Sequence, residues 1–265
     1  MHPGIRERPY NKYLPVEDQR DRLDVVLVSP RKPLNRGAVA RAMANFGFSR
    51  LAVVAAYAPH WREARSAVGA PELLRSAEET DSLAEAIRDC TLVAGTGTLT
   101  HRRPEQTVVG LPDLAPLVRS ELAQGGRVAL VFGPEKHGLS REDLSYCNLL
   151  VEIPTDARQP SMNLGQAVAV CLYELACHAF SQQESSLQTE QTSHEGNGPS
   201  AASARLDLLA GVVEETMIAA NYSPARMREA NRHDLRLLLR RLRPSERDTR
   251  RILGIFRRIL WRLRR

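Results

Sequence analysis

The stretch VALVFGPEKHGLS, residues 128–140, decides the fold class of this chain. Its first five residues are apolar without interruption, which is typical of a strand buried on both faces of a sheet. Gly133 and Gly138 then enclose Glu135 in a tight loop, and Ser140 is placed to cap a following helix. A buried strand that passes through such a loop into a helix is typical of a parallel α/β sheet.

Four further apolar runs repeat this strand signal along the chain, and helix-like stretches lie between them. One of these helices begins with a capping box formed by Ser82 and Glu85. We therefore expect an α/β fold with a mostly parallel sheet flanked by helices. The other strands are predicted at residues 23–28, 51–54, 91–94 and 149–153, and the helices at residues 36–46, 83–88, 114–122 and 164–180.

A change of composition at residue 181 divides the chain. Residues 181–203 are mostly Ser, Gln, Glu, Thr, Gly and Asn, with almost no large apolar side chain, and so predict a flexible linker. Three amphipathic helices are predicted beyond it, at residues 206–220, 227–243 and 245–265. The predicted organisation is an N-terminal arm at 1–22, an α/β domain at 23–180, a linker at 181–203 and a small helical domain at 204–265.

The positive charge of the chain is concentrated at its C-terminus. The 265 residues carry a net charge of +6, but residues 226–265 alone hold fifteen arginines against four acidic residues. Guanidinium groups pair bidentately with phosphate, which indicates a nucleic acid partner, although a GC-rich genome would also favour arginine codons. In the last predicted helix apolar residues recur at helical spacing and arginines fill the other face, which we expect to be free for phosphate. The alternative is a dimerisation helix whose charges are only solvated.

Several classes of protein are not indicated. No apolar run reaches the ~18 residues that span a bilayer, and the first twenty residues lack a signal-peptide segment, so we expect a cytoplasmic protein. The four cysteines have no metal-ligand spacing, which predicts reduced thiols and no metal site. Gly95-x-Gly97 lacks the third glycine of a dinucleotide fingerprint, and no GxxxxGK[ST] loop exists. No GxSxG elbow surrounds Ser161, which argues against serine hydrolysis.

Three clusters of polar residues follow predicted strands, at the edge where parallel sheets bind their ligands. The first holds Asn35, placed to cap a helix, and Arg41 six residues further on. The second is the loop around Glu135, and the third places Ser161 and Asn163 just before a long helix. These residues are the candidates for the chemistry of the protein.

Each cluster also has a purely structural interpretation. Arg41 could be a solvated helix residue, but the alanines around it, at positions 38, 40, 42 and 44, would let an RNA backbone approach its guanidinium. The loop around Glu135 could be a plain turn from strand to helix, with His137 an ordinary surface residue. Ser161 and Asn163 could be no more than helix N-caps. The residue pattern alone leaves these alternatives open.

Together the three clusters resemble the signature motifs of the SpoU (TrmH) branch of the SPOUT RNA 2′-O-methyltransferases. The first motif of that family, N-x-G-x-x-A-R-A, matches residues 35–42, and the second, L-V-F-G-x-E-x-x-G-L, matches residues 130–139. The third motif, I-P with a later P-S-x-N-L, matches residues 153–154 and 160–164. The resemblance covers residues 22–180.

The resemblance implies a SPOUT fold with a C-terminal trefoil knot, S-adenosylmethionine as the cofactor bound in the knot, and no metal. It also implies an enzyme in which Arg41 is the catalytic arginine, with Asn35, Glu135, Ser161 and Asn163 as further catalytic positions. The cofactor-binding residues that it implies are Thr96, Gly97, Thr98, Gly133, Ile153, Pro160, Ser161, Met162 and Leu164.

An arginine-rich helical extension after such a domain is similar to the TrmJ-type tRNA (cytidine/uridine-2′-O)-methyltransferases, which modify residue 32 of the anticodon loop. The partners expected from this resemblance are tRNA and a second copy in a homodimer, without DNA or membrane. The chain departs from the pattern where Gly97-Thr98-Leu99 replaces a frequent Ser-Ala-Arg, and where Pro134 and Lys136 replace frequent arginines. An rRNA 2′-O-methyltransferase of the same superfamily and a non-catalytic RNA-binding protein remain as alternatives.

Overall fold

A seven-stranded parallel sheet forms the centre of the molecule. The structure is a computed structural model that describes residues 17–56, 70–97, 104–177 and 199–265. Across the sheet the strands follow the order β3-β2-β1-β6-β4-β7-β5, and every neighbouring pair is parallel. In chain order they are β1 (Leu23–Val28), β2 (Arg50–Val54), β3 (Glu78–Thr80), β4 (Leu92–Thr96), β5 (Thr107–Gly110), β6 (Val128–Phe132) and β7 (Leu149–Glu152). The predicted fold, a parallel sheet flanked by helices, is confirmed, whereas the trefoil knot stays a prediction.

The helices connect the strands and then continue into the C-terminal region. They are α1 (Glu17–Arg20), α2 (Pro33–Phe46), α3 (Pro71–Arg75), α4 (Leu83–Ala86), α5 (Leu111–Ala123), α6 (Arg141–Ser145), α7 (Leu164–Cys177), α8 (Ser203–Ala219), α9 (Arg228–Leu242) and α10 (Glu246–Leu263). The part of the chain described here includes no helix with the length and apolarity to cross a bilayer. Residues 178–180 of the helix predicted at 164–180, and residues 1–16 of the predicted N-terminal arm, lie outside the described residues.

The central strands β1 and β6 are buried on both faces, as their continuous apolar sequences predict. Val25 and Leu130 face the core that α2, α5 and α7 cover, while Val26 and Val131 face a second core on the side of α4 and α6. All four side chains are fully buried. The two cores together hold the sheet between its helical layers.

Two helix starts differ in how well the sequence predicted them. Ser140 caps α6 in a full capping box, in which its hydroxyl accepts from the Asp143 backbone and the Asp143 carboxylate accepts from the Ser140 backbone. The expectation that Asn35 caps a helix from residue 36 is wrong, because α2 already begins at Pro33 with Lys32 at its N-cap. Proline favours the first helical position, where its missing N–H costs nothing, and this moves the start upstream.

Helices α2 and α7 pack closely together on one face of the sheet. Gly165, at the start of α7, lies so near α2 that a Cβ built on it would stand 2.5 Å from the Cβ of Ala38. The absence of a side chain at residue 165 therefore sets the distance between these two helices.

The C-terminal helices α8 to α10 form a small bundle that docks on the α/β domain. Their own core is built from Leu209, Val213, Leu239 and Leu253. The backbone N–H and hydroxyl of Ser203 both donate to the carbonyl of residue 90 at 2.9 Å. Residues 199–203, the described end of the predicted linker, are thus in contact with the rest of the protein, while residues 181–198 lie outside the described residues.

Two arginines of the bundle pair with acidic residues of the α/β domain, and a third joins two helices of the bundle itself. Arg240 is 1% exposed and joins α9 to α8, because it donates to the Ser203 hydroxyl at 2.7 Å and to the Asp207 carboxylate at 2.8 Å. Arg236 pairs with a glutamate of α6 and lies over the Tyr146 ring, and Arg243 pairs with a glutamate of α5. These three arginines belong to α9 and its C-cap, so they lie outside the last helix, for which a free arginine face was expected.

Asn148 links the bundle to the sheet. Its side-chain oxygen accepts from the backbone N–H of Val93 in β4 at 2.8 Å, and its amide donates to the backbone carbonyl of Arg240 at 2.9 Å. The strands β4 and β7, which Asn148 joins at their start, carry cavity residues at their other ends. The strands β4 and β7 therefore connect to the bundle at one end, through Asn148, and line the cavity at the other.

Candidate active site

A cavity of about 560 Å³ opens at the carboxyl ends of β6, β4 and β7, three neighbouring strands. Its wall comes from the loops that follow these strands, as expected for a parallel sheet. The structure brings together these residues predicted to bind the cofactor: Thr96, Gly97, Gly133, Ile153, Pro160, Ser161, Met162 and Leu164. Thr98, the remaining one, lies outside the described residues.

The cavity presents backbone rather than side chains on the side of Gly133. The loop after β6 folds back so tightly that a Cβ at Gly133 would stand 2.2 Å from the backbone nitrogen of Leu139. Gly138 allows this turn with a φ of 64°, in the left-handed region that favours glycine. The Thr96 hydroxyl is already used, since it donates to the Val131 carbonyl at 3.0 Å. These features fit a flat ligand held largely through backbone groups.

Glu135 joins the second cluster to the first. Its carboxylate accepts from the backbone N–H groups of Arg31 and Lys32 at 3.1 and 3.0 Å, and from the side-chain amide of Asn35 at 2.8 Å. These donors lie at the N-terminus of α2, where the positive end of the helix dipole also stabilises a negative charge. Both carboxylate oxygens of Glu135 are therefore occupied by hydrogen bonds.

The ionisation of Glu135 follows from these contacts. Partial burial opposes its charge, but the hydrogen bonds from Asn35, the backbone of its own loop, Lys32 and Arg31 outweigh burial and lower its pKa. A carboxylate with a lowered pKa and no unoccupied oxygen is a poor general base. Its position suits it to hold the loop against α2.

Asn163 extends the same network to the third cluster. Its amide donates to the side-chain oxygen of Asn35 at 2.9 Å, while its own oxygen accepts from the backbone N–H of Gly165 at 2.9 Å. The alternative that Asn163 is an N-cap of α7 is thus partly correct, because it satisfies one N–H of the first helical turn. The chain Glu135–Asn35–Asn163 connects all three predicted clusters.

Ser161 and Arg41 stand apart from this network. Ser161 lines the cavity, and its hydroxyl has no hydrogen bond to any other described residue. Arg41 is exposed on α2, without an ion pair in the described ranges, and is not among the cavity residues. Six residues of helix separate Arg41 from Asn35, or about 9 Å. Within one chain Arg41 therefore lies on an exposed surface of α2 outside the cavity wall.

The small residues around Arg41 have a different role from the one expected. Ala40 is fully buried and Ala42 nearly so, both in the core beneath the sheet face, and Ala38 contacts Gly165. These three alanines are small because α2 packs closely on α7 and the sheet, so they do not open a path to the guanidinium, whereas Ala44, the fourth, is exposed. The exposure of Arg41 arises from its own position on the helix.

Three charged or titratable residues of the cavity wall were missed at the sequence level. Lys136 and His137 lie in the loop after β6, and Glu152 is the last residue of β7. Their places directly after or at the end of a strand were the available signal. His137 is exposed, as expected for an ordinary surface residue, but it also borders the cavity.

The fold and the cavity define an α/β protein that binds a small ligand at the carboxyl edge of a parallel sheet. This chain belongs to the SpoU rRNA methylase family, whose model matches residues 22–173. The resemblance drawn from the three motifs is thereby confirmed, and with it the assignment to the RNA methylases.

Known relatives are named as tRNA methyltransferases. The tRNA (cytidine/uridine/adenosine-2′-O-)-methyltransferase TrmJ of Pseudomonas aeruginosa is 40% identical over 156 residues, which cover 58% of this chain and 60% of that relative. The tRNA (cytidine/uridine-2′-O-)-methyltransferase TrmJ of Pectobacterium atrosepticum is 31% identical over 89% of this chain and 95% of its own length. The crystal structure of TrmJ from Zymomonas mobilis superposes with a TM-score of 0.74 at 26% identity, covering 89% of this chain and 98% of that one.

Proposed function

We propose that this protein transfers a methyl group from S-adenosylmethionine to a ribose 2′-hydroxyl in tRNA, at position 32 of the anticodon loop. The observation that carries the proposal is the cavity at the carboxyl edge of the sheet, which residues of the second and third motif clusters line and to which the first cluster is joined by the hydrogen bond from Asn35 to Glu135. The names of the TrmJ relatives support tRNA as the substrate and the 2′-oxygen as the acceptor. Position 32 rests on the resemblance alone.

The cavity fits the cofactor. A volume of about 560 Å³ lies within the ~300–1,000 Å³ range of small-molecule sites. At Gly133 the loop backbone folds closely on itself, and at Gly97 a Cβ would have no atom within 4 Å. Both glycines therefore present backbone without a side chain to a planar group. When bound, S-adenosylmethionine supplies an electrophilic methyl group on a positively charged sulfur. The loops at Gly133, Ile153 and Met162 would hold it through backbone N–H and C=O groups.

The roles of the catalytic candidates follow from their contacts. An arginine guanidinium stays charged in proteins and is a poor proton acceptor, so Arg41 binds the phosphate and sugar of the target nucleotide and orients the 2′-hydroxyl. Ser161 Oγ passes the hydroxyl proton to water, since it lies in the cavity wall with no other hydrogen bond from the described residues. Asn35, Glu135 and Asn163 position the loops that form the site.

The active enzyme is a homodimer in this proposal. Arg41 is exposed and outside the cavity of its own chain, so a cavity completed by Arg41 of a second copy would explain both observations. The family resemblance adds the trefoil knot as the cofactor-binding segment. A tRNA substrate supports a cytoplasmic location, and the proposed reaction involves neither DNA nor a membrane.

Methylation of matched tRNA transcripts tests the reaction and its position together. Purified protein with labelled S-adenosylmethionine is expected to label an unmodified transcript, and nucleoside mass spectrometry should then detect 2′-O-methylribose. A transcript with 2′-deoxyribose at position 32 should remain unlabelled, whereas 2′-deoxyribose at position 34 should have no effect. The reversed pattern would move the target to position 34, and methylation of rRNA alone or of a base would refute the proposal.

The assignment of Arg41 is tested by Arg41→Lys. An ammonium group cannot reproduce the bidentate contacts of a guanidinium, so turnover should fall by ~10²-fold or more while the affinity for the cofactor stays unchanged. Cofactor affinity is measured by calorimetry. Near wild-type turnover in this variant would contradict the role given to Arg41.

The composite site is tested by mixing two inactive variants. Arg41→Ala and Ser161→Ala lose different halves of the proposed site, so mixed dimers should contain one intact site and recover part of the activity. Sedimentation at micromolar concentration gives the oligomeric state independently. A monomeric protein, or no recovery from mixtures shown to exchange subunits, would contradict the shared site.

A further inference from the structure

One face of α10 carries an aromatic side chain among arginines. Trp261 is 40% exposed, whereas Leu253 and Leu260 of the same helix are buried against the bundle. The guanidinium carbons of Arg258 and Arg265 lie 4.3 and 3.8 Å from the centre of the indole ring. Positions three and four residues apart are neighbours on a helix, so all three side chains belong to one surface.

A glycine without a packing role lies on the same surface. Gly254 precedes Trp261 by seven residues, which places the two on one side of the helix about two turns apart. It is exposed, and a Cβ built there would have no atom within 4 Å. Glycine weakens a helix interior relative to alanine, so packing within the described chain gives no reason for it. What Gly254 provides is close access to the backbone of α10 from outside.

The charge around this surface is of one sign. Residues 251–265 contain six arginines and no acidic residue. Arg250 and Arg251 form ion pairs with acidic residues at the start of α10, and Arg264 forms one with a glutamate of α8. Arg257, Arg258 and Arg265 form no ion pair with any described residue. Their charge is therefore available to a polyanion.

We propose that this surface, formed by Gly254, Arg257, Arg258, Trp261 and Arg265 and called here the Trp261 face, binds an unpaired nucleotide of the tRNA substrate. The base stacks on the guanidinium planes that the indole ring supports. Arg257 pairs with a flanking phosphate, and Gly254 lets the sugar-phosphate backbone approach the helix. The proposal rests on the proposed function only in taking tRNA as the RNA.

Measured affinity for an unmodified tRNA transcript, without cofactor, tests the Trp261 face. Trp261→Ala in the full-length protein should weaken binding by about 10-fold or more, because the guanidinium planes lose the indole ring that supports them. Trp261→Phe keeps an aromatic ring and should recover most of the affinity. Tyr222→Ala removes another exposed aromatic side chain, outside this face, and should have no effect.

Salt dependence separates stacking from phosphate contact. Arg257→Ala should flatten the slope of log affinity against log salt concentration by about 0.7–0.9, whereas Trp261→Ala should leave the slope unchanged.

Gly254 gives a further test with a matched control. Gly211 is also an exposed glycine within a helix, and a Cβ built on it would likewise have no atom within 4 Å. Both Gly254→Ala and Gly211→Ala should raise the melting temperature, because alanine favours the helix. Only Gly254→Ala should weaken tRNA binding. If Gly254 had only a structural role, Gly254→Ala would not raise the melting temperature and at the same time weaken tRNA binding.

Unchanged tRNA affinity in Trp261→Ala, or equal behaviour of Gly254→Ala and Gly211→Ala, would overturn the proposal. If Trp261→Ala instead abolished dimerisation in sedimentation, or binding to anionic vesicles, with tRNA affinity intact, the face would belong to a second copy or a membrane. Binding and methyl transfer are measured separately. A wild-type protein that binds tRNA through this face but transfers no methyl group would refute only the proposed function.

Discussion

Replacing Arg240 by alanine should loosen α9 from α8 within the helical bundle. Its guanidinium is 1% exposed, and the substitution removes the ion-pair partner of the Asp207 carboxylate and one of the two hydrogen bonds of the Ser203 hydroxyl. Loss of one member of a buried ion pair costs ~3–5 kcal/mol. The Asp207 side chain is 30% exposed and partly hydrated, so we expect the lower end, about 3 kcal/mol, or a melting temperature lower by roughly 6–12 °C.

Urea unfolding and limited proteolysis measure this effect, with Arg241→Ala as the matched control. Arg241 is the next residue of α9, exposed and without an ion pair among the described residues, so its loss should change the free energy of unfolding by less than about 0.5 kcal/mol. Equal stabilities for the two variants would refute the reasoning.

A double variant tests whether the unpaired Asp207 carboxylate destabilises the protein. Burial lowers the pKa of Arg240, and Asp207 only partly offsets this, so the pair carries a desolvation cost. Arg240→Met with Asp207→Asn removes both charges and should be more stable than Arg240→Met alone. A double variant that is less stable than the single one would show that the unpaired Asp207 carboxylate does not destabilise the Arg240→Met variant.

Three shorter predictions concern the site and the core. Gly133→Ala should weaken cofactor binding by about 10-fold or more in calorimetry, because the new Cβ forces apart the loop that forms the cavity wall. Glu135→Gln should be less stable than the wild type at pH 7, and the difference should vanish as the pH falls below ~4, since the lowered pKa of Glu135 adds stability only while the carboxylate is ionised. Cys147 and Cys171 should resist a thiol reagent at pH 8 until the protein is unfolded, because burial raises the pKa of each to about 12.

The strands that carry the site could be predicted because each is a continuous apolar run. The predictions for β1 and β6 match at both ends and β7 differs by one residue, whereas β4, predicted at 91–94, extends from Leu92 to Thr96. The strands β3 and β5 were missed. They have three and four residues, lie at the two edges of the sheet, and are largely exposed, so neither shows the apolar signal of a buried strand.

The candidate site was predicted in its membership but not in its connections. The motifs named Asn35, Glu135 and Asn163 as catalytic positions, yet Asn35 lies 100 residues from Glu135 and 128 from Asn163, and no local pattern shows that their side chains bond to each other. The docking of the arginine-rich bundle was missed for the same reason. Composition gives the number of arginines, whereas the acids that neutralise Arg236 and Arg243 belong to distant helices.

The contact between Gly165 and Ala38 has a consequence for how this sequence can change over time. Since a Cβ at residue 165 would stand 2.5 Å from that of Ala38, the two positions share a fixed small volume between α2 and α7. A larger residue at one of them is accommodated only if the other stays minimal or the helices separate. Because α2 carries Arg41 and α7 begins beside the cavity, separation would alter the site. Substitutions at 38 and 165 are therefore expected to covary among related sequences, with glycine retained at one position whenever the other enlarges.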